Sequence, residues 1–207
     1  MAYSVITFDV RTIADLANRL GRLDPTEFGQ AGVRAVNEVV QAIEPKVREN
    51  ISATVNLSDA YLQARLGVRL AANPAAPEAA IYAPFRQTPL GRYSPRQLTQ
   101  PANKPQRAKG DKLRGIPAGR KQAGVSVEVI RGDRKTIQQG FLMPLRNGNG
   151  MGVFTRDRGA LRYQHRLGPA VYQLLRVQAD RLYDDTQAAL QLAVLTEAEA
   201  IVEKALA

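Results

Sequence analysis

The chain has 207 residues, 44% of them hydrophobic, with 29 Lys and Arg against 19 Asp and Glu, one histidine and no cysteine. That size fits one domain, or one domain with appendages, and the composition excludes disulfides, thiolate metal sites and any histidine cluster within one chain. No apolar run approaches the roughly 18 residues of a membrane-spanning helix, and the start, MAYSVITFDVRTIADL, lacks the basic stretch and apolar block of a secretory signal.

In chain order, residues 3–8 (YSVITF) are β-branched and aromatic and predict a strand. Ile13, Leu16, Ala17 and Leu20 recur at helical spacing, and Gly21 ends that helix. Asp24 as N-cap, Pro25 at the first helical position and Glu27 three residues after the cap open a second helix. Its apolar stripe runs through Phe28, Ala31, Ala35, Val36, Val39, Val40 and Ile43. Pro45 removes the bond to the Gln41 carbonyl and predicts a kink or break, with the pattern resuming at Val47 and Ile51. Ser58 and Asp59 cap a short helix, DAYLQARL. GVRLAAN and EAAIYAPF then flank PAAP as two strands joined by a turn.

Residues 84–124 form a segment of different character. Ten cations fall here: Arg86, Arg92, Arg96, Lys104, Arg107, Lys109, Lys112, Arg114, Arg120 and Lys121. The one acid is Asp111. Of the formal +10, this segment carries +9 and the remaining chain +1. It also holds six of the twelve prolines and five of the sixteen glycines, with no helical or strand period. It reads as a long basic loop inserted in a single domain spanning residues 1–207; loops of that length are usually functional or disordered. Only Phe85 and Tyr93 are aromatic, both near its start, so phosphate neutralisation fits it better than base stacking.

VSVEVI (125–130) alternates as a half-buried strand should. FLMPL and MGVFTR follow, joined by RNGNG. Asn147-Gly148 and Asn149-Gly150 supply the positive φ of a tight hairpin turn. A phosphate loop needs glycines that lead into a helix N-terminus. Here they lead into a strand, and no Gly-Lys-Ser/Thr appears, so these glycines turn the chain. From Pro169 onward a long C-terminal helix carries Val171, Leu174, Leu175, Leu182, Ala189, Leu192, Leu195 and Val202. The whole predicts an α+β fold: a small antiparallel or mixed sheet of four or five strands, N-terminal helices, the long basic loop and the long C-terminal helix.

The order of parts resembles the minor tail protein Z, or tail-completion, family of tailed phages. The resemblance rests on residues 140 to about 172: a strand led by Phe141, the turn at Asn147 and Gly148 with Gly150, and VFTR with Phe154 and Arg156. Arg162 and the Gly168-Pro169 step before the last helix complete it. It implies a structural protein of the virion, assembled in the host cytoplasm, that completes the head-proximal end of the tail and helps join it to the head. It further implies a homo-oligomeric, hexameric ring. Its neighbours would be tail terminator, tail tube or connector proteins, with DNA or the tape-measure protein in the lumen.

The residues keep other readings open. Arg156, Arg158, Arg162 and Arg166 suit a phosphate backbone, acids of a neighbouring subunit, or plain solvation. A head-tail connector or tail terminator adaptor, and a general nucleic-acid-binding protein using the basic loop, are the alternatives. An enzyme is disfavoured: no nucleophile or carboxylate constellation stands out, and no catalytic, metal or cofactor residues are assigned. His165 has no paired acid nearby in sequence and reads as a surface or interface residue. Asp184 and Asp185, adjacent on a helix, diverge by about 100° and do not converge on a metal.

Overall fold

The structure, a computed structural model, describes residues 2–9, 25–104, 106, 109–146, 150–156 and 162–206. The expected helix over 11–20, the Asp24 cap, Arg107, Asn147, Gly148 and Arg158 lie outside the described residues. The fold is α+β with a long C-terminal helix, and every described strand pairing is antiparallel. The chain falls into two compact units: residues 1–51, 59–86 and 170–207 in the first, and 52–58 and 87–169 in the second.

In the first unit, strand β1 (Ala2–Asp9) is followed by helix α1 (Pro25–Thr54), which begins at Pro25 as its backbone geometry favours. Phe28, Ala31, Ala35, Val39, Ile43, Val47 and Ile51 recur every three or four residues and are all buried. The expected break at Pro45 is absent: α1 continues through it as one element. Pro45 and Gln41, whose carbonyl loses its donor, are both exposed, so that carbonyl is not left in a dry interior. Ile43 and Val47, on the buried side, hold the two halves on one core.

After the short helix α2 (Asp59–Gln63) come β2 (Gly67–Arg69) and β3 (Glu78–Pro84). They pair as the turn at PAAP predicts, and the sheet order is β1-β3-β2. Ala79, Ala80, Ile81 and Ala83 of the central strand are buried on both faces. The side chain of Asn37 on α1 donates to the Ala71 carbonyl at 3.1 Å and accepts from the Ala71 N–H at 2.7 Å. A half-buried amide is thereby satisfied by the chain end beyond β2.

The C-terminal helix is two helices in succession, α3 (Val171–Arg181) and α4 (Tyr183–Leu206). Leu182 interrupts the helical assignment, yet backbone bonds Leu182 N–H to Gln178 and Thr186 N–H to Leu182 carry across it at 2.9 Å each. Pro169 stands just before the N-cap residue, Ala170, whose N–H donates to the Gln173 side chain at 2.9 Å. Arg34 with Glu197 and Glu27 with Lys204, each at 2.6 Å, fix α4 antiparallel to α1, with seven residues between the pairs on each helix.

The second unit contains β4 (Thr88–Pro89), a 3-10 turn (Leu90–Arg92), β5 (Arg96–Pro101), β6 (Arg120–Ile130), β7 (Asp133–Ile137), β8 (Gly140–Pro144), β9 (Met151–Thr155), β10 (Gln164–His165) and β11 (Leu167–Gly168). They form sheets ordered β5-β6-β7 and β10-β9-β8 and the pair β11-β4. The chain thus has eleven short strands among the described residues rather than four or five. Segment 84–124 is not a loop throughout. It contains β4, the 3-10 turn, β5 and the first part of β6, and β5 pairs with β6 from Arg96↔Ser126 to Pro101↔Arg120. The residues of β5, RQLTQP, are exposed or half-buried on both faces, so pairing leaves no alternation in the sequence. The side chain of Gln97 ties the two sheets: it donates to the Gly124 carbonyl at 2.7 Å and accepts from the Leu142 N–H of β8 at 2.9 Å.

Tyr93 is the centre of this unit. Its ring is fully buried, and its hydroxyl donates to the Pro169 carbonyl at 3.0 Å. Its N–H bonds Leu90 and its carbonyl accepts from Glu128. A Cβ on Gly168 would stand 2.7 Å from the ring, so only glycine admits it there.

Tyr93→Phe is expected to lower stability by about 1 kcal/mol through the lost hydrogen bond. Gly168→Ala is expected to cost about 1–3 kcal/mol, because a fully buried ring cannot retreat. Denaturant unfolding of both variants measures this, and an alanine variant as stable as the parent would show that the ring contact constrains nothing. Gly150 has a φ of +82° with open space where a Cβ would lie. Gly150→Val is therefore expected to cost about 1–3 kcal/mol of backbone strain alone, read as a lowered unfolding midpoint with the hairpin still formed.

Candidate functional site

Among the described residues, Arg96, Lys104, Lys109, Lys112, Arg114, Arg120 and Lys121 are carried on an arm within Arg96–Gly124, made of β5, the start of β6 and the described chain between them. The Ala102 N–H bonds the Gly119 carbonyl at 2.9 Å, and a smaller turn closes farther out where Asp111 and Ile116 exchange two backbone bonds at 2.7 and 2.8 Å. Gly110, with φ +75°, lets the chain pass so close to Ile116 and Ala118 that a Cβ would lie within 2.8 Å of both. The tip buries Ile116 and leaves Leu113 exposed.

The cations divide into two groups. Arg120 donates to the side chain and carbonyl of Thr99 at 2.7 and 2.8 Å, Lys121 to Asn103 at 2.9 Å, and Arg114 to Asp111 at 2.7 Å. These three hold the arm together. Lys104, Lys109 and Lys112 are exposed and have no ion-pair partner among the described residues. Arg96, at the base, lies near Glu128, whose carboxylate also accepts from the Gly132 N–H at 3.0 Å and Arg134 at 2.9 Å. The Gly132 N–H first, and then Arg134 and Arg96, hold Glu128 below the usual carboxylate range. Arg92 lies exposed on the 3-10 turn, and Arg86 belongs to the first unit.

Several of the residues that carry the family resemblance come together on a different sheet, β10-β9-β8. Phe141 and Phe154 stand directly opposite across β8 and β9, and His165 stands opposite Phe154 on β10. The three rings form one cross-strand row, with centroids 6.3 Å and 4.6 Å apart. Tyr163 meets Phe141 edge-on at 5.3 Å, and the Arg156 guanidinium lies over Tyr163 at 5.6 Å. Gly152 leaves room for the row, since a Cβ there would lie 2.7 Å from the Phe154 ring and 3.1 Å from His165. Gly168 and Pro169 receive Tyr93. Arg162 is exposed. Arg166 donates to the Thr155 hydroxyl at 2.8 Å, which anchors one of the four candidate arginines to its own sheet.

Tyr93 and Asp111 stand out in the sequence only as an aromatic and the one acid of the basic segment, and nothing there assigns a role to Tyr163 or Gly152. The hairpin register offers a signal for part of this: Phe141 and Phe154 are equidistant in sequence from the Asn147–Gly148 step and must face one another. Among the described residues no group of three His, Asp or Glu side chains could hold a metal ion, and no helix is long and apolar enough to cross a membrane.

Asp111 provides a test of the arm. The Arg114 side chain first, with the N–H groups of Arg114 and Leu113, holds its carboxyl below the ordinary range. A lowered folded-state pKa gives stability that is full above the usual aspartate value of about 4 and is lost as pH falls through the lower folded value. Asp111→Asn removes that contribution at neutral pH. Hydrogen exchange at the Ile116 N–H, which bonds Asp111, is expected to accelerate. Unchanged protection would show that the tip does not depend on the carboxylate.

No curated protein and no solved structure matches the chain. The family described as prophage minor tail protein Z (GPZ) matches residues 12–204, nearly the whole sequence. By the extent of that match the chain belongs to the prophage minor tail protein Z family, a family of structural phage tail proteins.

Proposed function

We propose that this tail protein completes the head-proximal end of the tail and helps join it to the head, as one subunit of an oligomeric ring. The reading takes its position and ring from the family resemblance. The observation in the molecule that favours it is the Arg96–Gly124 arm, which presents Lys104, Lys109 and Lys112 to solvent without partners among the described residues. Folding of the arm does not require these three lysines, whereas Arg114, Arg120 and Lys121 are engaged in it. Repeated around a ring, they make a positive collar that attracts DNA phosphates or acidic protein surfaces, most strongly at low salt. The reading requires no catalysis.

A general nucleic-acid-binding protein is the second reading, since exposed lysines suit phosphates. It is less favoured because the ring-bearing residues Phe141, Phe154, Tyr163 and His165 pack on one another and lie off the arm.

Replacing Lys104, Lys109 and Lys112 together with glutamine is expected to leave the thermal unfolding curve unchanged and to reduce infectious particles when the variant replaces the resident gene of an inducible prophage. Micrographs should show heads and tails that fail to join. Full infectivity with unaltered salt dependence of assembly would make the charge a bystander. Salt-sensitive binding of the isolated subunit to any DNA would favour the second reading.

A further inference from the structure

The outer face of α4 has a composition the fold does not explain. Its inner face is occupied: Leu190, Thr186 and Ile201 are buried, and Glu197 and Lys204 pair with α1. On the outer face, Ala188, Leu192, Leu195 and Glu199 follow one another at spacings of three and four residues, so they share one line along the helix. Leu192 is 67% and Leu195 57% exposed. Glu199 and Glu203 continue the line and have no ion-pair partner among the described residues. They sit toward the carboxyl end of the helix, where the helix dipole disfavours anions, so neither is there for the helix's own sake. Asp184 and Asp185 mark the other end and suit the first turn in any case.

The tip of the basic arm carries the complement. Leu113 is 66% exposed, Lys109 and Lys112 precede it on the same turn-bearing stretch, and Arg114 is already held by Asp111. One feature is an exposed leucine beside cations, and the other is a pair of exposed leucines beside anions. We propose that the arm tip of one subunit docks on the outer face of α4 of a second copy of this chain. Leu113 sits between Leu192 and Leu195, and Lys109 and Lys112 meet Glu199 and Glu203. Because the two halves are different surfaces, the contact is head-to-tail, the kind that repeats around a closed ring. This inference deepens the ring reading and rests on it.

The absence of cysteine makes the test clean. Full-length Leu113→Cys and Leu195→Cys variants, carrying different tags, are co-expressed so that tails assemble from both, and the tails are treated with a short bis-maleimide. The expected product joins one of each variant, above the share random pairing would give. Adding Lys109→Glu and Lys112→Glu to the first variant should reduce it roughly tenfold, since exposed ion pairs are each worth a few-fold and reversal adds repulsion. Glu199→Lys and Glu203→Lys in the second variant should restore it. Three results overturn the contact: predominant products of like variants, a cross-link confined within one chain in the Leu113→Cys/Leu195→Cys double variant, or no product. If tails that give no product hold several copies of the chain, the docking is wrong and the ring stands. If they hold a single copy each, the ring reading fails with it.

Discussion

The buried ring of Tyr93 is the constraint on which the second unit depends. Its hydroxyl reaches the carbonyl just before the last helices, its backbone bonds the 3-10 turn and β6, and its ring fills the space a side chain on Gly168 would take. The residue lies at the foot of the basic arm, and Gly168-Pro169 closes the segment on which the family resemblance rests. One side chain therefore fixes the base of the charged feature and the end of the motif segment together. A loosened ring would disturb both, even though no cation and no motif aromatic is itself altered.

The arm shows how a strongly basic segment can be folded without an apolar core of its own. Part of its charge is structural: Arg114, Arg120 and Lys121 satisfy carboxylate, hydroxyl, amide and carbonyl oxygens that a polar ribbon would otherwise leave to water. The remaining lysines are additional to that need. Composition alone counts these two groups as one, and the difference lies in who accepts their hydrogen bonds.

Legibility in the sequence followed burial. The α1 stripe was readable because one face of the helix is apolar, and the β2–β3 turn because PAAP separates two strand-like runs. The β8–β9 hairpin was readable because its turn chemistry and flanking strands agree. β5 and β7 were not readable, since RQLTQP and DRKTI bury little and take their order from pairing with β6. Pro45 does not break α1, because its cost depends on which side of the helix it occupies, a fact of tertiary structure. Of the candidate site, the sequence names Phe141, Phe154 and Arg156, but their alignment with Tyr163 and His165 required the register. The division of the cations required side-chain geometry, which no charge count contains.

The Gln97 amide has a consequence for how copies of this protein can meet. β8 is the outer strand of its sheet, and every second N–H along it points away from β9. Among those outward positions Leu142 donates to Gln97, and Pro144 has no hydrogen to offer. An incoming strand would find almost no donors to continue the ladder. Strand addition at this edge, the common route to uncontrolled fibrous growth, is thereby disfavoured.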